Sequence, residues 1–209
     1  MKIKIWADYS CPFCYIGKTT LQKAMDELGL EDVEIEYKAF LLDPNAPMKN
    51  SESTEEALAR KYRVSRLEAK QMVDGVVQRA KTVGLYYRYD LVQATNTKAA
   101  HRLLKLAKDE HKKALNEALY HAYFIEGKNL SDPADLAQIA QAFGIEEVEV
   151  KALFTANALK SELDSDLKEA QDLRISGVPF FLFEDGSSIK GAQPISVFIE
   201  KLAKISNVL

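Results

Sequence analysis

The spacing of apolar residues changes twice along this chain, and these changes limit the folds that it can adopt. The first 40 residues have the pattern of a strand, a helix and a second strand, with Ile3 and Ile5 alternating with lysines at the start. After Gly177 the strand pattern returns, and Asp185-Gly186 is a hairpin turn signal ahead of a helix that Pro194 begins. The two ends are therefore predicted as βαβ and ββα segments of an α/β fold.

The residues between these two ends are predicted to be helical throughout. Pro44 and Pro47 break the first pattern and mark a boundary. Capping-box signatures, in which Ser53 precedes Glu56 and Ser65 precedes Glu68, then indicate two helix starts. Because apolar residues keep recurring at helical spacing, we expect a single all-helical block here.

Length and composition exclude several classes of protein. The chain has 209 residues, of which 47% are hydrophobic and 28% charged, so it is long enough and mixed enough to fold around a sizeable core. A net charge of -3 leaves no basic surplus for a nucleic-acid partner. Neither a membrane span of about 18 apolar residues nor a secretory h-region is visible, so we expect no membrane partner and a cytoplasmic location.

The two cysteines, Cys11 and Cys14, lie three residues apart, after the first strand and at the start of the first helix. The N–H groups and dipole of a helix N-terminus favour a thiolate, which is the reactive form of cysteine. We expect Cys11 at the N-cap, exposed and activated, with Cys14 more buried one turn further in. Pro12 suits the first helical position. The pattern predicts thiol–disulfide exchange, with Cys11 as the nucleophile and Cys14 as the resolving thiol.

Metal binding is the main alternative for such a cysteine pair. A structural zinc site needs four ligands. The only histidines are His101, His111 and His121, ten residues apart, and one straight helix would separate neighbours by about 15 Å. We therefore predict no metal site.

A second short motif, Gly177-Val178-Pro179-Phe180, precedes a predicted strand. Proline is tolerated at the start of a strand, so Pro179 is explained without any function. A cis-proline facing the cysteines is the alternative. The residues alone favour the trans bond, because only about 5–6% of X–Pro bonds in folded proteins are cis.

The order of these motifs resembles the thioredoxin fold with an inserted helical domain, as in the DsbA family, and most closely its FrnE-like branch. The matching segments are residues 8–14 with Gly17, 96–97, 100–103, 122–124 with 126–127, 175–181 and 191–193. The resemblance implies a discontinuous thioredoxin-like domain of residues 1–45 and 175–209 and an inserted helical domain of residues 46–174. It also implies a cis bond between Val178 and Pro179, where backbone groups pair with a substrate peptide or glutathione.

Two departures refine this resemblance. The related 2-hydroxychromene-2-carboxylate isomerases and kappa-class glutathione transferases have serine at the position of Cys11. Because this chain has both cysteines, the resemblance implies disulfide exchange rather than glutathione-activating chemistry. The strongly oxidising periplasmic members have histidine at the position of Phe13. Since Phe13 cannot donate a hydrogen bond to a Cys11 thiolate, we expect a less oxidising pair.

Several other residues are candidates for supporting roles. Asp8 is either a turn aspartate or a buried carboxylate that accepts protons during resolution. Asn96 is either the N-cap of a helix or a pocket residue. His101 is either a packing residue or a polar wall of the pocket. The resemblance also places Gln193 beside the substrate.

These observations predict a thiol–disulfide oxidoreductase that acts on protein or small-molecule disulfides. It would bind no cofactor, with glutathione as a co-substrate, and be a monomer or a homodimer. A glutathione-dependent isomerase or transferase is the first alternative. A redox-sensing, chaperone-like binding module is the second.

Overall fold

The computed structural model describes residues 1–49 and 52–206. The chain divides into two compact units, one comprising Met1–Leu42 with the chain from Asp166 onward, the other Asp43–Ser165. The secondary structure of the described residues is β1 (Lys2–Ala7), α1 (Pro12–Glu27), β2 (Glu34–Ala39), α2 (Thr54–Tyr62), α3 (Arg66–Thr82), α4 (Lys98–Leu106), α5 (Asp109–Phe124), α6 (Pro133–Gln141), α7 (Glu147–Thr155), α8 (Lys160–Asp172), β3 (Phe180–Phe183), β4 (Ser188–Lys190) and α9 (Ile195–Ser206).

The first unit is built on a mixed sheet with the strand order β2-β1-β3-β4. β1 and β2 are parallel, with Ile5 opposite Tyr37. β3 runs antiparallel to β1, with Phe181 opposite Ile5, and β4 runs antiparallel to β3. The β1-α1-β2 and β3-β4-α9 segments therefore form one sheet, which is the predicted α/β thioredoxin fold with a helical insertion.

The main core of this unit lies between the sheet and the two helices α1 and α9. Because side chains alternate along a strand, Ile3 and Ile5 point to this face while Lys2 and Lys4 point away from it. The buried residues of this core are Ile3, Ile5, Leu21, Ala24, Met25, Phe181, Phe183, Ile189, Phe198 and Leu202. This packing fixes α1, and with it the cysteine motif, against β1 and β3.

The opposite face of the sheet is covered by the C-terminal part of α8. Trp6, Ala170, Ile175 and Phe180 form a second buried cluster, in which the Trp6 and Phe180 rings meet edge-to-face at 6.0 Å. The Trp6 indole donates a hydrogen bond to the backbone carbonyl of Asp166 at 3.3 Å. These contacts place the chain from Asp166 onward in the first unit, ahead of the boundary predicted at residue 175.

A group of ion pairs, here called the Lys38 network, reinforces this face. The Lys38 Nζ atom lies 2.6 Å from Glu36, 3.0 Å from Glu169 and 3.3 Å from Asp166. The Asp166 carboxylate, buried, also accepts the Ala39 N–H at 2.9 Å. Burial opposes the charge of Lys38, but the bonds to Glu36 and Glu169 and the attraction of Asp166 outweigh it and raise the pKa of Lys38. The network thus joins β2 to α8.

The second unit contains α2 to α7 and the start of α8. Both predicted capping boxes are confirmed, since Ser53 and Ser65 each exchange hydrogen bonds with the glutamate three residues later. The expectation of helix throughout is wrong for residues 83–97, which lie between α3 and α4. In this segment the Tyr87 ring stacks on the Phe124 ring, with 4.6 Å between the ring centroids. Among the described helices, none has the length and apolar character needed to cross a bilayer.

We predict that Lys38→Met destabilises the protein by about 2–3 kcal/mol, because it removes the ammonium group that lies 3.3 Å from the buried Asp166 carboxylate. Lys2→Met is the matched control: Lys2 also pairs with Glu36, but its side chain is 43% exposed, so a markedly smaller loss is expected. Urea denaturation of both variants measures the difference. Because the folded-state pKa of Lys38 is raised, the stabilisation that its charge gives to the folded protein is complete below the usual lysine pKa of about 10.4. This stabilisation is lost only at higher pH. Equal losses in both variants would contradict this account.

Candidate active site

The turn between β1 and α1 places the cysteines. The Cys11 N–H donates to the Asp8 carbonyl at 3.0 Å, which closes the turn, and the Ser10 N–H donates to the Asp8 carboxylate at 3.0 Å. Cys11 is the N-cap of α1, and Pro12 occupies the first helical position. The Cys14 N–H then donates to the Cys11 carbonyl at 3.1 Å in the first helical turn. The predicted position of both cysteines at the helix start is confirmed.

Both cysteines are free thiols, and they come within 3.3 Å of each other. Cys14 is buried, as predicted. The expectation that Cys11 is exposed is wrong, because only 3% of its surface is accessible. The Cys11 thiol packs against the loop ahead of β3, where it donates to the Val178 carbonyl at 3.8 Å. The structure therefore places Cys11, Cys14 and Val178 together.

The two thiols differ in acidity. A hydrogen bond from Cys14 lowers the pKa of Cys11, burial opposes this effect, and the N–H groups of Cys14 and Phe13 add to it. Burial raises the pKa of Cys14 well above its ordinary value, and its hydrogen bond to Cys11 raises it further. The negative charge of Asp8 disfavours both thiolates. Cys11 is therefore the sulfur that ionises first, while Cys14 retains its proton.

The loop ahead of β3 approaches α1 closely. The Val178-Pro179 bond is cis, so the expectation drawn from the resemblance is confirmed. The Pro179 carbonyl accepts the Gly191 N–H at 2.8 Å. A Cβ atom at Gly17 would lie 3.0 Å from Pro179 Cγ and 3.2 Å from the Phe181 ring. Glycine at position 17 thus permits α1 to pack directly against this loop.

Asp8 is the most extensively bonded of the supporting candidates. It is 1% exposed, and its two carboxylate oxygens accept the N–H groups of Ser10 and Leu42, at 3.0 and 2.7 Å. The Asp8 carboxylate is thus both buried and bonded within the turn, as the two alternatives expected. Its role as a proton acceptor stays a prediction. The sequence does not predict Leu42 as a partner of Asp8, because their contact joins residues 34 apart and has no local pattern.

The remaining candidates lie at different places. Phe13, 38% exposed, lies between the cysteines in sequence, and the Gln193 amide donates to the Lys190 carbonyl at 2.8 Å.

Asn96 and the buried His101 belong to the second unit. The predicted N-cap at Asn96 is wrong by one residue, since Thr97 is the N-cap of α4. Asn96 nevertheless accepts the Lys98 N–H at 3.0 Å. Substrate contacts of all these residues stay predictions.

The histidines lie on two helices rather than one, His101 on α4 and both His111 and His121 on α5. Within residues 1–49 and 52–206, the structure contains no group of three or more histidine, cysteine or acidic side chains arranged to hold a metal ion.

A dithiol at the N-terminus of α1, beside a cis-proline loop of a mixed four-stranded sheet, defines a protein of the thioredoxin-fold class. The sequence profile of the DSBA-like thioredoxin domain matches residues 2–203, and the chain belongs to this family. The resemblance to the DsbA family is thus confirmed.

Individual relatives align with nearly the whole chain. A probable DsbA oxidoreductase from Streptomyces coelicolor is 32% identical, with a TM-score of 0.88, and the alignment covers 99% of this chain and 90% of the other. YwbO of Bacillus subtilis, an uncharacterized protein, is 25% identical over 94% of this chain and 92% of its own length.

Two more distant structures share the fold alone. A 2-hydroxychromene-2-carboxylate isomerase is 18% identical with a TM-score of 0.72, covering 99% of this chain and 97% of the other. The cytosolic disulfide reductase DsbM from Pseudomonas aeruginosa, in a structure with glutathione, is 15% identical with a TM-score of 0.68, covering 99% and 100%.

We predict that Cys14→Ala raises the pKa of Cys11, because it removes the hydrogen bond that most favours the Cys11 thiolate. Cys14→Ser is the matched control, since its hydroxyl is still a donor and Cys11 is again the only thiol. The pH dependence of iodoacetamide alkylation gives the pKa in each variant. A lower pKa is expected in the serine variant, and equal values would contradict the role assigned to Cys14.

We also predict that Gly17→Ala destabilises the protein by about 1–3 kcal/mol, because the added methyl group overpacks the contact with Pro179 and Phe181. Gly75→Ala in α3 is the control, since a Cβ there meets nothing within 4 Å. It should stabilise the protein by up to about 1 kcal/mol through helix propensity. Stabilisation by both substitutions in urea denaturation would show that α1 does not need glycine at position 17.

Proposed function

We propose that this protein is a thiol–disulfide oxidoreductase that uses Cys11 as its nucleophile and Cys14 as its resolving thiol. The observation that carries the proposal is the pair of free thiols within 3.3 Å of each other, with Cys11 at the N-cap of α1 and Cys14 in its first turn. The lowered pKa of Cys11 and the raised pKa of Cys14 agree with it, because they favour Cys11 as the attacking thiolate and keep Cys14 protonated. Membership of the DsbA-like family supports the same activity.

The proposed reaction proceeds in two exchanges. The Cys11 thiolate attacks one sulfur of the substrate disulfide, forms a mixed disulfide and releases the other substrate sulfur as a thiolate, which takes up a proton. Cys14 then loses its proton and attacks Cys11, which forms the Cys11–Cys14 disulfide and releases the second substrate thiol. The substrate gains two electrons and the protein loses them. Two molecules of a thiol such as glutathione return the protein to the dithiol and leave as a disulfide.

Protein disulfides and glutathione are the proposed substrates. The backbone of Val178 and Pro179 would pair with the substrate chain beside Cys11, with Gln193, Asn96 and His101 as further substrate-binding residues. The Pseudomonas aeruginosa protein, a cytosolic disulfide reductase whose structure holds glutathione, supports a cytoplasmic, glutathione-linked role. We propose no bound cofactor, and either a monomer or a homodimer.

An isomerase is the second candidate, because the 2-hydroxychromene-2-carboxylate isomerase has the same fold with a TM-score of 0.72. In the resemblance drawn from sequence, such isomerases have serine at the position of Cys11. An isomerase activity of this chain would therefore survive Cys11→Ser, whereas disulfide exchange would not.

We predict that Cys11→Ser abolishes insulin reduction in the presence of glutathione, since a serine hydroxyl cannot form the mixed disulfide. Cys14→Ser is the matched control: it keeps the nucleophile and should accumulate a mixed disulfide with glutathione, visible as added mass on Cys11. Turnover of a chromene carboxylate by Cys11→Ser would favour the isomerase. Suppression of protein aggregation that both variants retain, without insulin reduction by the parent protein, would favour a binding module.

A further inference from the structure

Asp8 interacts with the cysteine pair in two ways, through hydrogen bonds of its main chain and through the charge of its carboxylate. Its carbonyl accepts the Cys11 N–H at 3.0 Å, and its own backbone forms a hydrogen bond with Cys14. Its carboxylate is 1% exposed and is held by the N–H groups of Ser10 and Leu42. The Asp8 carboxyl group is therefore held out of water, in the turn whose main chain bonds to both cysteines.

The surroundings of this carboxylate determine how strongly its charge acts. Hydrogen bonds from two backbone N–H groups favour the ionised form of a buried carboxyl group. The titratable groups that act on Cys11 are Cys14, on α1, and Asp8, after β1. Lys38, on the adjacent strand β2, has its ammonium bound in the Lys38 network. A charge in a region of low effective dielectric acts on its neighbours with little screening.

We propose that Asp8 is a positioning residue whose buried, ionised carboxylate makes the Cys11–Cys14 pair more reducing than the helix N-terminus and the two sulfur atoms alone would make it. This inference rests on the proposed function. It gives Asp8 a part in setting the reduction potential of the pair, which favours reduction of a substrate disulfide over its formation.

The link from charge to direction follows from the half-reaction. Reduction of the Cys11–Cys14 disulfide takes up two electrons and two protons, and the resulting dithiol is further stabilised when Cys11 releases one proton to solvent. The Asp8 charge disfavours this thiolate, as its effect on the pKa of both cysteines indicates. The reduced protein is thus held at higher free energy and gives up its electrons more readily.

The test is a glutathione equilibrium measured between about pH 6 and pH 9, a range that spans the usual cysteine titration. Parent protein and variants are equilibrated with reduced and oxidised glutathione, and free thiols are then trapped by alkylation. Mass spectrometry gives the fractions of reduced and oxidised protein. For Asp8→Asn we expect the constant for reduction of the protein disulfide to rise about tenfold at the alkaline end, which is about 30 mV. The ratio to the parent should approach one as the pH falls below the pKa of Cys11.

Two variants act as controls. Asp8→Glu retains the charge and should keep the parental pH profile. Asp132→Asn removes the same charge from an exposed aspartate of the second unit that makes a similar bond, to the Ala134 N–H at 2.8 Å, and should leave the constant unchanged. A merely structural role for Asp8 would shift the constant equally at all pH values. Such a uniform shift, or a parental constant in Asp8→Asn, would overturn the inference.

A measurement on the unsubstituted protein covers the case in which Asp8→Asn does not fold. With ¹³C-labelled aspartate, the Asp8 carboxyl carbon must show the chemical shift of the ionised form across the pH range in which Cys11 titrates. A protonated Asp8 in that range overturns the inference. If the parent protein reduces neither insulin nor oxidised glutathione, the proposed function fails instead, and the two failures are thus distinguishable.

Discussion

The start of helix α1 at Cys11 is the constraint on which the site depends. A helix N-terminus leaves N–H groups without intrahelical partners, and most helices supply a serine, threonine or aspartate to accept them. Here the N-cap is Cys11, and α1 has no acidic residue in its first turn. The sulfur thus occupies the place where partial positive charge is concentrated. The position of α1 is in turn fixed by the main core and by the close contact at Gly17.

The pattern of apolar residues was sufficient to predict this arrangement at the level of elements. Alternation in β1 and β2, helical spacing in α1 and the Asp185-Gly186 turn are local signals, because each depends on residues that are neighbours in sequence. The cysteine spacing is local too, which is why the positions of Cys11 and Cys14 at the helix start could be predicted without a structure. Local signals of this kind do not report how deeply a side chain is covered by distant parts of the chain.

Three of the features that escaped prediction depend on contacts between distant residues. Cys11 is buried because the loop carrying Val178 packs on it. Asp8 is held by Leu42, and α8 joins the first unit because the Asp166 carboxylate accepts the Ala39 N–H, 127 residues away. In each case a polar group in one segment accepts a hydrogen bond from an N–H or thiol of another. Such pairings have no periodicity, so a single sequence does not identify them.

Burial by itself would make both sulfur atoms unreactive, because a desolvated thiolate is costly. The asymmetry between them comes from the deeper burial of Cys14 and from one shared hydrogen bond, which Cys14 donates and Cys11 accepts and which therefore shifts the two pKa values in opposite directions. The N–H groups of Cys14 and Phe13 in the helix also oppose the desolvation of Cys11. A buried dithiol can thus be kept from indiscriminate reaction while one of its members stays nucleophilic. The second sulfur loses this bond partner once Cys11 is in a mixed disulfide, so the same contact that activates the first step is released before the second.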